Sequence, residues 1–182
     1  MIAIFKSDSA VKADYDKEIE LVKAKEAKQI EDYLAQKGIK AFKTPGGTYV
    51  AIENAGDTSL LADTGYTATV MYKGALLEGG KVFDTNMDTS KGHTEPYPVV
   101  VGQPGVIEGW QHALPYFGKG TKAKIFVPAM NAWGPQAQGA DIPAFSNVVF
   151  DIEVLDIKKT APQPAGGMPG GRGGQPQGGG GQ

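Results

Sequence analysis

The chain has 182 residues, of which 41% are apolar, a formal net charge of −2 and no cysteine. This length predicts one domain with appendages, and the modest apolar content indicates that part of the chain is not packed. The small net charge argues against a broad basic surface for nucleic acid or anionic lipid. The lack of cysteine excludes a disulfide framework and thiol chemistry.

The first ten residues, MIAIFKSDSA, contain an apolar patch of only four residues. Such a patch is too short for the apolar core of a signal peptide and far too short to span a bilayer. Two localisations therefore stay open. The protein is cytoplasmic if this chain is complete, and it belongs to the cell envelope or periplasm if a leader is missing.

A long helix is predicted over residues 9–36, within an N-terminal helical arm of residues 1–40. The apolar residues of this segment recur at helical spacing and share one face. They are Val11, Tyr15, Ile19, Val22, Ile30 and Leu34. At 1.5 Å per residue the helix would reach roughly 42 Å, and Gly38 is a typical stop signal. Three interpretations stay open: packing along its own domain, pairing with a second copy or other partner, and a frayed arm.

Residues 41–158 have the pattern of an antiparallel β domain. Four segments are rich in Val, Ile, Phe, Tyr and Thr and are separated by glycine-containing turn sequences. They read TYVAIEN, GYTATVMYKG, AKIFVPA and NVVFDIEVLDI. Alternation places Thr48, Val50 and Ile52 on one face of the first segment. It likewise places Val148, Phe150, Ile152 and Val154 on one face of the last. Only VIEGWQHAL, residues 106–114, has helical character, so the predicted class is α+β, a sheet with one short helix against it.

The C-terminal residues 159–182 are predicted to be a disordered Gly/Pro-rich tail. From Thr160 onward the sequence has no aromatic residue and no β-branched apolar residue. Such a segment cannot bury enough apolar surface to offset the entropy lost on ordering. A binding role for this segment stays open.

The usual catalytic motifs are missing from the sequence. His93 and His112 are the two histidines, and they do not have metal-ligand spacing. Neither a phosphate-binding loop, a dinucleotide fingerprint nor a nucleophile elbow is present. We therefore expect no metal and no cofactor, and covalent hydrolysis has no evident nucleophile and base.

A set of aromatic and aliphatic residues beside predicted turns stands out instead. Its members are Tyr72, Phe83, Asp84, Tyr97, Val106, Ile107, Trp110, Trp133, Ile142 and Phe150. Each of them alone has the character of a core residue, with Asp84 as a turn-capping aspartate. Trp110 is the exception, because a helix as short as residues 106–114 cannot bury an indole by itself. Either another element packs over Trp110 or a ligand binds on it.

Three blocks of sequence carry a resemblance to a known family. They are VMYKGALLEGGKVFDTN, YPVVVGQPGVIEGWQHALPYFGKGTKAKIFVPAMNAWG and DIPAFSNVVFDIEVLDI. Their order and approximate spacing resemble the FKBP-type peptidyl-prolyl cis-trans isomerases over residues 46–157. The long helix before them resembles the arm of the dimeric macrophage-infectivity-potentiator-type members. The resemblance implies a twisted antiparallel half-barrel sheet wrapped on one short helix, preceded by a long N-terminal helix.

The resemblance also implies a proline-binding pocket with Trp110 as its floor. The residues it assigns to catalysis are Tyr72, Phe83, Asp84 and Trp133. Those it assigns to substrate binding are Tyr97, Val99, Val106, Ile107, Trp110, Ile142 and Phe150. The backbone N–H of Ile107 would hold a substrate carbonyl. Trp133 stands where tyrosine is usual, Tyr97 where phenylalanine is common, and Val99 where an aromatic is often found.

The function implied is prolyl isomerisation in Xaa-Pro segments of unfolded or flexible polypeptides, which assists protein folding. The alternative is a proline-binding chaperone or interaction module with little turnover. A homodimer through the N-terminal helix is a further expectation. Macrolide binding stays open because Trp133 and Val99 depart from the family pattern.

Overall fold

The computed structural model describes residues 8–161, and its elements follow the predicted order. The helices are α1 (Asp8–Lys37) and α2 (Glu108–Ala113), with 3-10 turns at Thr89–Lys91, Leu114–Tyr116 and Ala129–Asn131. The strands are β1 (Phe42–Lys43), β2 (Tyr49–Asn54), β3 (Asp57–Leu61), β4 (Tyr66–Leu76), β5 (Val82–Thr85), β6 (Tyr97–Val100), β7 (Gly118–Lys119), β8 (Lys122–Val127) and β9 (Val148–Lys159). The α+β class is confirmed.

The main sheet of the described residues is antiparallel throughout, in the order β1-β2-β8-β9-β4-β5. One edge of β4 pairs with β9. The other edge pairs with two strands, β6 along the first half of β4 and β5 along its second half. Strands β3 and β7 form a separate two-stranded ribbon. The long pairing of β4 with β9, from Tyr66–Lys159 to Leu76–Val148, is the backbone of this sheet.

Both faces of the sheet are covered. On one face the main core packs around α2 and includes Trp110, Leu114 and alternate residues of β9 from Val148 to Val154. The alternation predicted for this last strand is therefore confirmed. On the opposite face a smaller cluster joins Ile30 and Leu34 of α1 to the sheet.

Strand β2 departs from the simple alternation predicted for it. Tyr49, Val50 and Ala51 are all buried, whereas Ile52 is exposed. Tyr49 and Ala51 pack against the α1 side of the sheet, and Val50 packs in the main core. A strand covered on both faces loses the polar-out pattern from which its exposure was predicted.

The two halves of α1 differ in how far they are buried. Ile30 and Leu34 are buried against the sheet, whereas Val11 and Tyr15, on the same predicted stripe, are exposed. Packing along the domain therefore holds for the second half of the helix alone. The eight-residue gap in the stripe is filled by Glu26, which is also buried.

No helix within residues 8–161 has both the length and the apolar character needed to cross a membrane. Of the predicted tail, 159–182, the structure describes residues 159–161, and the prediction of disorder concerns residues that lie outside the described range.

Candidate active site

Trp110 lies at the base of a cavity between α2 and the concave face of the sheet. Its side chain is only 4% exposed. Its ring centroid lies 5.3 Å from those of Tyr72 and Phe150, at edge-to-face angles of 74° and 87°. The indole Nε1 has no hydrogen-bond partner among the described residues. The sheet thus covers one side of the indole, and the other side lines the cavity.

The cavity has a volume of about 560 Å³, which lies within the usual range for a small-ligand site. It brings together ten of the residues singled out from the sequence: Tyr72, Phe83, Asp84, Tyr97, Val106, Ile107, Trp110, Trp133, Ile142 and Phe150. These residues come from four strands, α2 and two loops. Their convergence is therefore a property of the fold rather than of any one segment.

The aromatic wall depends on a glycine in β4. Gly74 follows Tyr72 by two residues and faces the same side of the sheet. A Cβ atom at Gly74 would lie 2.6 Å from the ring of Phe83 and 2.7 Å from that of Phe150. These two rings close on the glycine and contact each other edge-to-face at 5.6 Å. Any larger residue at this position would push the wall apart.

Trp133 completes the wall on the far side of Phe83. Its ring centroid lies 5.6 Å from that of Phe83, at 88°. It follows the 3-10 turn Ala129–Asn131, which is held against β9 by a hydrogen bond from the backbone N–H of Ala129 to Asn147 Oδ1 at 2.9 Å. The segment that carries Trp133 is therefore fixed to the sheet.

One polar network borders the apolar cavity. The Tyr72 hydroxyl donates to Asp84 Oδ2 at 2.5 Å, and His93 Nε2 lies 2.8 Å from Asp84 Oδ1. The backbone N–H of Thr85 also donates to Oδ1, at 2.9 Å. Burial raises the pKa of Asp84, but the hydrogen bonds from Tyr72 and His93 outweigh burial and lower the pKa below its usual value. Burial and the bond to Asp84 raise the pKa of Tyr72.

The structure places Val99 apart from the other predicted binding residues. It is 3% exposed in the main core and does not line the cavity that contains Trp110. Tyr97 and Val99 share one face of β6, but Val99 lies two residues nearer to the end paired with Thr67. Only Tyr97 therefore reaches the cavity.

His93, Gln138 and Asp141 lie at the site although the sequence did not predict them there. His93 was considered only as a metal ligand, and its bond to Asp84 depends on the loop between β5 and β6. Gln138 and Asp141 line the cavity from the loop before β9. Lys81 pairs with Asp141 at 2.8 Å across two loops, a contact for which the sequence holds no signal.

The described residues include no group of three or more histidines and carboxylates placed to hold a metal ion. The cavity offers an apolar cup, one buried indole N–H and a carboxylate held by a tyrosine. Such a site can bind a small apolar ring with directed hydrogen bonds at its rim. A curved antiparallel sheet closed over a short helix, with this cup between them, defines the peptidyl-prolyl isomerase class of the FKBP type.

The comparisons with known proteins agree with this class. The family model described as FKBP-type peptidyl-prolyl cis-trans isomerase matches residues 60–155. FK506-binding protein 1 of Debaryomyces hansenii is 33% identical over 116 residues, which cover 64% of this chain and 99% of that protein. The chain therefore belongs to the FKBP-type peptidyl-prolyl cis-trans isomerase family, whose members are enzymes that act on proline-containing polypeptides.

Two bacterial relatives are longer than the matched region. The FKBP-type 22 kDa peptidyl-prolyl cis-trans isomerase of Escherichia coli is 33% identical over 134 residues, 74% of this chain. The isomerase FkpA of Escherichia coli is 35% identical over 153 residues, 84% of this chain. The matches span 60% and 52% of the length of these two proteins.

Proposed function

We propose that this chain isomerises Xaa-Pro bonds by holding the proline ring in the cavity above Trp110 and assists protein folding in this way. The observation that carries the proposal is the apolar cup itself, with the Tyr72–Asp84 pair at its rim. No bond breaks in this reaction. Rotation about the imide costs roughly 18–20 kcal/mol because the twisted bond loses amide resonance.

The cup would lower this barrier by differential binding. The planar imide is more dipolar than the twisted one, and water therefore stabilises the planar form. An apolar, water-excluding pocket removes that advantage and favours the twisted transition state. The aromatic walls would hold the proline ring still, while the acyl group on the other side of the imide bond rotates.

We assign the roles within the cup as follows. Phe83 and Trp133 would grip the ring, and Asp84 would orient Tyr72 rather than act as a general base. Trp110 would be the floor, and the backbone N–H of Ile107, at the start of α2, would hold the carbonyl beside the proline. Tyr97, Val106, Ile142 and Phe150 would complete the apolar wall. Val99 would support Tyr97 from the core.

A protease-coupled peptide isomerisation assay tests the proposal. Phe83→Ala should lower kcat/KM at least tenfold, equivalent to about 1.4 kcal/mol, because it opens the wall beside Trp133. Trp133→Ala should act in the same direction, and both changes should disturb folding less than turnover, measured by thermal unfolding.

The matched control is Phe42→Ala. Phe42 is also a partly exposed aromatic in an edge-to-face pair, at 5.0 Å from Tyr116, but it lies outside the cavity. It should keep full activity. Equal loss of activity and stability in the two pocket variants would count against their assignment. Peptide binding without turnover in the unmodified chain would point to a proline-binding chaperone instead.

We further propose that the exposed half of α1 pairs with a second copy of the chain. Val11 and Tyr15 continue the stripe of Ile30 and Leu34 but are 53% and 61% exposed. Macrolide binding is a separate prediction that stays open. FK506 appears in the name of the Debaryomyces hansenii relative. In this chain, however, the cavity is lined by Trp133 at the position where tyrosine is usual in the family.

A further inference from the structure

A second cavity adjoins the proline pocket along β6. This β6 groove, about 730 Å³ in volume, is lined by residues 97–101, the loop 103–106, Thr64, Gly65, Gln111, Thr160 and Ala161. It shares Tyr97, Gly105 and Val106 with the cavity above Trp110. The two cavities therefore adjoin at these three residues.

The described chain ends inside this groove. The backbone N–H of Thr160 donates to the Gly65 carbonyl at 2.9 Å, and the Thr160 hydroxyl lies 2.8 Å from that of Thr67. The N–H of Gly65 in turn donates to the Val101 carbonyl at 3.3 Å. Ala161, the last described residue, lines the same groove as Val101, at the end of β6 farther from the cavity above Trp110.

Residues 162–182 contain the kind of ligand that the neighbouring pocket would bind. Their prolines are Pro162, Pro164, Pro169 and Pro176. Ala161 precedes the first, and glutamine precedes the second and the last. Met168–Pro169 alone offers a large apolar side chain before the proline. An apolar dipeptide of this kind suits a cup with apolar walls.

The distances favour the same proline. From Val101 back to Tyr97 the strand spans four residue steps, about 13 Å. Three residues from Ala161 to Pro164 reach at most roughly 11 Å, which is too short. The eight residues from Ala161 to Pro169, two of which are glycine and three proline, reach at most roughly 28 Å, so Pro169 is the first proline after Pro164 that can span the groove. Pro176 lies seven residues farther along, so a longer loop would have to be ordered to bring it to the same place.

We propose that residues 162–169 run along the β6 groove and place Pro169 in the cavity above Trp110. The chain then competes with its own substrates as an internal pseudosubstrate. This inference rests on the proposed function of that cavity. A short flexible linker gives an effective concentration on the order of 1 mM. A motif that binds alone with a Kd of about 1 mM would then occupy about half of the molecules and weaken external binding about twofold.

Pro169→Ala in the full chain tests the proposal, with Pro176→Ala as the matched control. The chain has two tryptophans, Trp110 and Trp133, and both line the proline pocket, so tryptophan emission reports its occupancy. Pro169→Ala should change this emission in the absence of added peptide. It should also tighten the binding of a tetrapeptide with a Leu-Pro bond about twofold. Pro176→Ala should match the unmodified chain in both measurements.

Two outcomes would overturn the inference. One is emission and peptide affinity that are the same in both variants and the unmodified chain. The other is a difference for Pro169→Ala that grows with protein concentration, which would place the tail in the pocket of another copy. If no chain turns over the peptide, the proposed function fails. The emission of Pro169→Ala without peptide still decides whether the tail docks.

Discussion

Asp84 shows how the site combines an apolar cup with one fixed charge. Both of its carboxylate oxygens are engaged, Oδ2 by Tyr72 and Oδ1 by His93 and the N–H of Thr85. A carboxylate that accepts three hydrogen bonds is held in one orientation and favours its ionised form. The Tyr72 hydroxyl is thereby held in place by its bond to Asp84.

The lowered pKa of Asp84 predicts a pH dependence. Its pKa lies below the unfolded value of about 3.9, so the bonded pair contributes stability above that pH, and the contribution is lost as the pH falls through the lowered pKa. Peptide affinity should therefore hold from neutral pH down to about 4 and decline below it. His93→Gln removes a charge interaction that lowers this pKa, so the decline should move to higher pH.

The control for this pH profile is Asp88→Asn. Asp88 also has a lowered pKa, from the hydroxyl and backbone N–H of Ser90, but it caps the 3-10 turn Thr89–Lys91 rather than bordering the cavity. Asparagine is an equally good cap, so the turn should persist. If Asp88→Asn shifts the profile as far as His93→Gln, the decline does not report Asp84.

At the scale of elements, the second half of α1 is fastened to the sheet by polar as well as apolar contacts. The Tyr49 hydroxyl donates to Glu31 at 2.5 Å, and Asn147 Nδ2 donates to Gln29 Oε1 at 2.9 Å. Asn147 also holds the turn before Trp133 through Ala129. The Asn147 side chain therefore contacts both α1 and the turn that precedes Trp133.

Glu26 is the residue of this interface whose burial destabilises the fold. Its side chain is 3% exposed; Oε2 accepts from the N–H of Met130 at 3.0 Å, whereas Oε1 has no partner among the described residues. Burial raises the pKa of Glu26, and the N–H of Met130 only partly opposes it. The ionised form therefore destabilises the fold, and the unmodified chain should gain stability as falling pH protonates Glu26.

Glu26→Gln should lack this gain. The free energy of unfolding of Glu26→Gln, relative to the unmodified chain, should thus decrease from pH 7 to pH 5. Denaturant unfolding at the two pH values measures it. Glu18→Gln, at an exposed position on the same helix, is the control. A constant difference for Glu26→Gln would show that Glu26 is ionised throughout.

At the scale of the whole molecule, α1 extends beyond the domain it packs on. About half of its 30 residues bury no side chain, and Val11 and Tyr15 expose an apolar stripe there. A helix that shows such a stripe to water gains stability by burying it against another apolar surface. The proposed second copy would place two proline pockets at the ends of paired helices.

Sedimentation equilibrium of the full chain tests this pairing. The double variant Val11→Ser/Tyr15→Ser should shift the chain from dimer to monomer, because it removes the stripe. Lys17→Ser/Glu20→Ser changes the opposite face of the same helix by the same number of residues and should leave the dimer intact. A monomeric unmodified chain would refute the pairing.

Prediction from the sequence succeeded where the signal was periodic or lay in a contiguous block. Helix α1 was predicted within one residue at each end, and the alternation of β9 agreed with its burial. It failed where contacts come from distant segments. Both faces of β2 are buried because α1 packs against the sheet. The bond between His93 and Asp84 depends on the conformation of the loop between β5 and β6.

The sequence by itself determined the class of fold and the membership of the aromatic cup. Strand alternation, glycine-containing turns and the block around Trp110 are local properties of single segments. Only the tertiary structure decided that Val99 belongs to the core, that His93 holds Asp84, and that the described residues end in a groove adjoining the cavity above Trp110. The physical reason is that these contacts join residues far apart in the chain, and their energy depends on distances that only the packed sheet sets.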